Sequence, residues 1–100
     1  MSLFKKRKTL EPPDELDGAE VLFWAFNSKK PFFIMECSDG TPHKPIHGFA
    51  ICRYKGEKQY YKFSCDIDWN VENDSDHDSV EDAIGAAIDM STEPIRWKNK

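Results

Sequence analysis

Residues 59–90 read QYYKFSCDIDWNVENDSDHDSVEDAIGAAIDM: an aromatic strand, a carboxylate-rich stretch and a capped helix in direct succession. In the strand, Tyr61, Phe63 and Cys65 fall on one face and Tyr60, Lys62 and Ser64 on the other, because side chains alternate with a period of two. Ser79 is an N-cap residue, and Asp82 three positions on is a short capping-box partner. Val80, Ala83, Ile84, Ala87 and Ile88 then recur at the spacing of one apolar helical stripe. Asp78, Glu81 and Asp82 lie at the positive end of the helix dipole. Gly85 weakens the helix but allows close packing on a sheet, and Pro94 stops it.

Working back toward the N-terminus, Lys55-Gly56-Glu57 is a tight turn, and residues 46–54 are apolar enough for a strand. Residues 46–65 therefore form a hairpin. Gly48 within it marks a bulge or a close backbone approach. Residues 19–26 alternate Val21, Phe23 and Ala25 with Leu22, Trp24 and Phe26. Both faces are apolar, as in a strand covered on two sides. Residues 32–37 follow Pro31 as a further strand, residues 41–45 with two prolines read as an extended loop, and Trp69-Asn70-Val71 is a short fifth strand. The predicted fold is α+β: an antiparallel meander of four to five strands with one C-terminal helix packed on one face. One short helix cannot cover both faces of such a sheet. Trp24, Phe26, Phe33 and Tyr60 then demand either cover from the chain's own ends or a second chain, and an aromatic patch of that size favours a protein partner or a homodimer through the second sheet face.

A chain of 100 residues is one domain. Residues 1–16 combine a basic block (Lys5, Lys6, Arg7, Lys8) with Pro12-Pro13 and read as a tail, leaving residues 17–100 as the folded body. Lys5 to Lys8 can also be read as a nuclear-localisation or nucleic-acid arm. The N-terminus lacks the apolar core of a signal peptide, and no run approaches the ~20 apolar residues of a membrane helix. Three cysteines, an odd number with no Cys-x-x-Cys pair, fit reduced thiols. A soluble cytoplasmic protein with no membrane association is the expectation. The net charge of −4 argues against bulk attraction to nucleic acid. The charge is nevertheless segregated: residues 66–82 hold eight acids and no lysine or arginine.

Each constellation that could carry chemistry breaks on spacing. Asp74-Ser75-Asp76-His77-Asp78 begins like a calcium loop, but Ser79 stands where an EF-hand needs glycine and Gly85 where it needs a bidentate glutamate. Cys37, His43, His47 and Cys52 have no zinc-finger spacing, and Pro42 and Pro45 keep the two histidines off a common helical face. Cys65 beside His47 or His77 would need an orienting third group, and no nucleophile signature surrounds it. Asp66 and Asp68 sit in an open turn rather than a cleft. Phosphate-binding glycine loops are absent. No catalytic residue, metal site or cofactor is assigned, and the protein is read as a non-enzyme.

Residues 46–90, with GFAICRY followed by YYKFSCDIDWNVENDSDHDSVEDA, resemble small bacterial proteins of unknown function. Some of these look like immunity or antitoxin partners in bacterial competition systems. The resemblance implies a protein-interaction domain that presents an acidic loop to a basic partner such as a toxin. Asp66, Asp68, Glu72, Asp74, Asp76 and Asp78 would supply the field, with Trp69 as an aromatic anchor. The alternative is a nucleic-acid-binding or regulatory module that stacks bases on a basic, aromatic sheet surface formed by Lys55, Lys58, Tyr60 and Lys62. The acids nearby would repel a phosphate backbone, and lysines also serve simply to block sheet edges.

Overall fold

The structure is a computed structural model that describes residues 10–36 and 44–100. Its elements are β1 (Glu15–Leu16), β2 (Ala19–Phe26), β3 (Phe33–Met35), β4 (Lys44–Ile46), β5 (Gly48–Arg53), β6 (Tyr60–Cys65), β7 (Val71–His77), α1 (Val80–Met90) and β8 (Lys98–Asn99). The fold is α+β. An antiparallel sheet in the order β1-β2-β5-β6-β7, with β8 also on β2, carries one helix near the C-terminus. The β5–β6 hairpin, with its turn at Gly56 (φ 83°), is where residues 46–65 put it. Residues 33–46 depart from a simple meander: β3 and β4 pair with each other as a separate ribbon, and Phe32 N–H donates to Ile46 O at 2.7 Å. The stretch expected as one strand from residue 46 to 54 is thus broken at His47.

The sheet is curled into a half-barrel, and each of its faces carries a buried cluster. On the face away from the helix Leu16, Val21, Trp24, Ala50, Cys52, Phe63, Cys65 and Trp69 form one buried cluster. On the helix-covered face Phe32, Ile46, Phe49, Ala25 and Ala87 form another, with Ile95 and Trp97 packed against it. Trp24, expected to need cover from the chain's own ends or from a second chain, is buried within this chain. Leu16 belongs to the core and Pro12 is buried, so the folded body begins before residue 17. The device is a two-residue turn, Asp17-Gly18, with φ of 50° and 86°. Positive φ at both central residues is what a type I′ hairpin requires, and it pairs Leu16 with Ala19.

Ser79 caps α1 as expected: its Oγ accepts from Asp82 N–H at 3.0 Å. The buried face is narrower than the apolar stripe. Ala83 and Ala87 are fully buried, whereas Ile88 is 56% exposed. Small residues set the contact with the sheet, and a β-carbon on Gly85 would meet nothing within 4 Å, so that glycine is not a packing notch. No helix among the described residues is long and apolar enough to cross a membrane.

Candidate functional site

The acidic stretch is not a loop. Residues 71–77 form β7, which pairs along its length with β6: Tyr60 faces His77, Tyr61 faces Asp76, Lys62 faces Ser75 and Phe63 faces Asp74. Cross-strand partners share a face of the sheet. Asp74 and Asp76 therefore project on the face away from the helix, next to Tyr61 and Phe63, while Asn73, Ser75 and His77 lie on the helix side. The register slips between Ser64 and Cys65, and the extra residue on the β7 strand is Glu72. Its carboxylate meets Lys44 Nζ at 2.9 Å. Asp74, Asp76 and Asp78 are exposed and have no cation within ion-pair distance among the described residues.

The preceding turn uses its polar residues internally. Asp66 Oδ1 accepts from the backbone N–H groups of Asp68 and Asn70, each at 2.9 Å, and Oδ2 accepts from Asn70 Nδ2 at 3.0 Å. Partial burial opposes its charge, but the bonds from Asn70 and Asp68 and the field of Lys44 outweigh it and hold the carboxyl below its ordinary value. Trp69, expected as an exposed anchor, is 8% exposed and belongs to the core on the face away from the helix. Its φ of 66° turns the ring inward. There it meets the Trp24 ring edge-on at 6.2 Å and Phe26 at 5.4 Å, while its Nε1–H donates to Leu10 O at 3.2 Å. The residues expected to act as one surface are thus divided. Asp66 and Trp69 build the turn, Glu72 is paired, Asp68 is exposed beside them, and Asp74, Asp76 and Asp78 face solvent.

Two tyrosines lie within the field of these acids. Tyr54 and Tyr61 meet edge to face at 5.1 Å. Tyr61 Oη donates to Glu57 Oε1 at 3.2 Å, and Tyr54 Oη to Asp17 O at 3.3 Å. The bond to Glu57, then burial, then the charges of Glu57 and Asp76 push the Tyr61 phenol up. Burial first, then Asp17 and Asp74, does the same to Tyr54. Sequence inspection missed Asp17 and Glu57 as partners of these tyrosines, because strand pairing brings Asp17 to Tyr54 across 37 residues and the β5–β6 turn brings Glu57 to Tyr61.

The four residues expected to form a nucleic-acid surface do not share one. Lys55 and Lys58 are exposed in the hairpin turn, and Tyr60 lies under Arg53, whose guanidinium is 5.2 Å from the ring centroid. Lys62 is only 2% exposed. It sits on the helix side, where Nζ approaches Ser64 Oγ at 3.3 Å, Met90 Sδ at 2.9 Å and the Phe49 ring at 5.8 Å. Burial pushes its amine below the ordinary lysine value, with Asp74 acting weakly in the opposite sense.

The remaining reactive groups are engaged or enclosed. Burial, with the charge of Asp17 added, pushes the Cys52 thiol up to about 12. Burial raises Cys65 as well, so neither is a ready thiolate. His47 Nδ1–H donates to Asn27 O at 2.7 Å. Ser75 Oγ and His77 Nε2 are 2.8 Å apart, with no carboxylate shown to orient the ring. Cys37 and His43 of the zinc candidate, like Lys5 to Lys8, lie outside the described residues. A surface groove of about 890 Å3 between β1, β2 and β5 is lined by charges of both signs, among them Arg53, Lys55, Glu20 and a Lys100–Asp14 pair at 2.9 Å. No family model matches the chain, and neither a curated protein nor a solved structure matches it.

Proposed function

We propose that the protein is a non-enzymatic interaction domain of the bacterial cytoplasm, similar in role to immunity or antitoxin proteins, that captures a basic protein partner. The observation that carries this is the pair Asp74 and Asp76, exposed on one face of an edge strand, with Asp78 just beyond it and no ion-pair cation among the described residues. Carboxylates left without counter-ions cost self-repulsion. They are repaid when a basic surface approaches, through faster encounter and rejection of acidic competitors. Asp17 adds to the field of Asp74 at Tyr54, and Glu57 to that of Asp76 at Tyr61.

The test is titration of the protein against the basic product of an adjacent toxin-like gene, with D74N/D76N/D78N as the variant. The variant should melt like the parent and lose at least about tenfold in association rate at low salt, the range in which electrostatic steering operates. Unchanged capture would rule the acidic mechanism out. The nucleic-acid alternative is weakened by the burial of Lys62, and oligonucleotide binding that falls steeply with salt would revive it.

A further inference from the structure

The two edges of the main sheet are treated differently. The outer edge of β2 is closed by two short strands: β1 pairs at Glu20 and Ala19, and β8 pairs at Phe23 and Trp24. Backbone bonds from Val21 N–H to Asp14 O and from Lys100 N–H to Leu22 O seal it further. At the other end, β7 is seven residues long and has no strand on its outer side among the described residues. An open edge is a row of unpaired N–H and C=O groups that templates another strand, and charged side chains are a usual guard against it.

Here the guard is selective. Asp74 and Asp76 are two residues apart on one face of β7. A second copy laid on this edge would bring the same carboxylates together, and like charges directly opposite are destabilising. A strand with lysine or arginine at alternate positions meets the opposite situation, since its cations repeat with the same period of two as the carboxylates. The edge is also held in place. The Asp66 turn fixes its start, β6 its length, and the Ser79 cap its end.

We propose that β7 is a strand-addition site for an extended segment of a partner protein that carries lysine or arginine on every second residue. Backbone bonds to β7 give affinity, and the cations, opposite Asp74 and Asp76, give register. This rests on the proposed capture of a basic partner and specifies how that capture occurs.

The test uses the full chain and a ten-residue peptide of alternating lysine and threonine, followed by amide NMR and titration. Two further peptides of the same charge carry backbone N-methyl groups on the lysines only or on the threonines only. In a strand, successive N–H groups point to opposite sides, so only one of the two peptides loses the bonds to β7. The expected result is shifts centred on residues 71–77, weakening in D74N/D76N, and at least about tenfold weaker binding for one methylated peptide than for the other, as the loss of two or three backbone bonds implies. If both methylated peptides bind like the parent and remain sensitive to D74N/D76N, strand addition is wrong while acidic capture stands. Equal loss by both, shifts centred elsewhere, or no binding at low salt would also overturn it; capture of the protein partner is then judged by its own titration. If K5Q/K6Q/R7Q/K8Q is needed before the peptide binds, the chain's own basic block is the occupant and the partner assignment falls. Self-association through β7 would overturn it equally.

Discussion

Gly48→Ala is the sharpest probe of the way this half-barrel is filled. Gly48 pairs with Cys65, and a β-carbon there would lie 2.8 Å from both Cη2 and Cζ3 of Trp69 and 3.2 Å from Cε3. Carbon atoms rest at about 3.5–4.0 Å, so the ring must retreat by nearly an ångström. It has nowhere to go. Its backbone sits at φ 66°, its Nε1 is tied to Leu10 O, and Trp24 and Phe26 close two sides. Overpacking of this kind costs about 1–3 kcal/mol. In a domain of this size each kcal/mol moves Tm by about 4–8 °C, so a cost of ~2 kcal/mol lowers Tm by about 8–16 °C. The assay is thermal unfolding followed by far-UV and near-UV circular dichroism, repeated in a Trp69→Phe background that removes the clashing benzo ring. The cycle should return a coupling of about 1 kcal/mol or more, within the range for residues in contact. A Tm for Gly48→Ala within about 2 °C of the parent, or an equal cost in both backgrounds, would refute the close approach.

Three other outcomes follow from the same packing. Gly85→Ala, where the new methyl meets nothing, should stabilise α1 by about 0.8–1.0 kcal/mol, and a lower Tm would show that the helix lies closer to the sheet. Asp66→Ala should cost about 2 kcal/mol near neutral pH, since bonds to a charged group are lost. The native carboxyl is held below 3.8, so its contribution is full above that value and disappears as pH falls through the native one; acid titration of Tm should bring parent and variant together at low pH. Lys62→Met combined with Ser64→Ala should be neutral or stabilising at pH 7, because it replaces a buried amine without leaving the buried hydroxyl of Ser64 unpartnered. The native Lys62 amine is pushed below 10.5, so the unfolded chain binds the proton better in the window beneath that value. Parent stability should therefore gain a rising contribution with pH there that the double variant lacks.

What could be read from the residues was what local pattern controls. The β5–β6 hairpin follows from alternation around Gly56, and the start of α1 from Ser79. Other features depend on tertiary context. β7 contains one large apolar residue, Val71, in seven, and carboxylates are depleted in strands, so nothing in its own composition announces a strand. It forms because β6 offers a complete backbone edge and because Asp66 turns the chain back along it. Lys62 was placed on the correct face by alternation. Its burial depends on Met90 and the end of α1, twenty-eight residues away. The inward turn of Trp69 at φ 66° is unusual for so bulky a residue; it lies within the Asp66–Asn70 turn and seats the ring over Gly48. Asp17-Gly18 was the exception, a hairpin signal that was legible but hidden by the polar, proline-containing segment before it.

Moving the acids from a loop to a strand changes what they can do. Six carboxylates on a free loop would repel one another, and binding would have to fix the loop's backbone at about 1–2 kcal/mol per residue. On β7 the pairing with β6 has already fixed it, and Asp74 and Asp76 stand two residues apart, about 6.6–6.8 Å along the strand, before any partner arrives. Trp69 then belongs to a different part of the mechanism from the one its chemistry advertised. Trp69 is buried beneath the turn that launches β7, where it supports the strand that carries the carboxylates. Stability and capture should therefore separate by residue: changes at Trp69 or Gly48 lower both together, whereas neutralising Asp74 and Asp76 lowers capture alone.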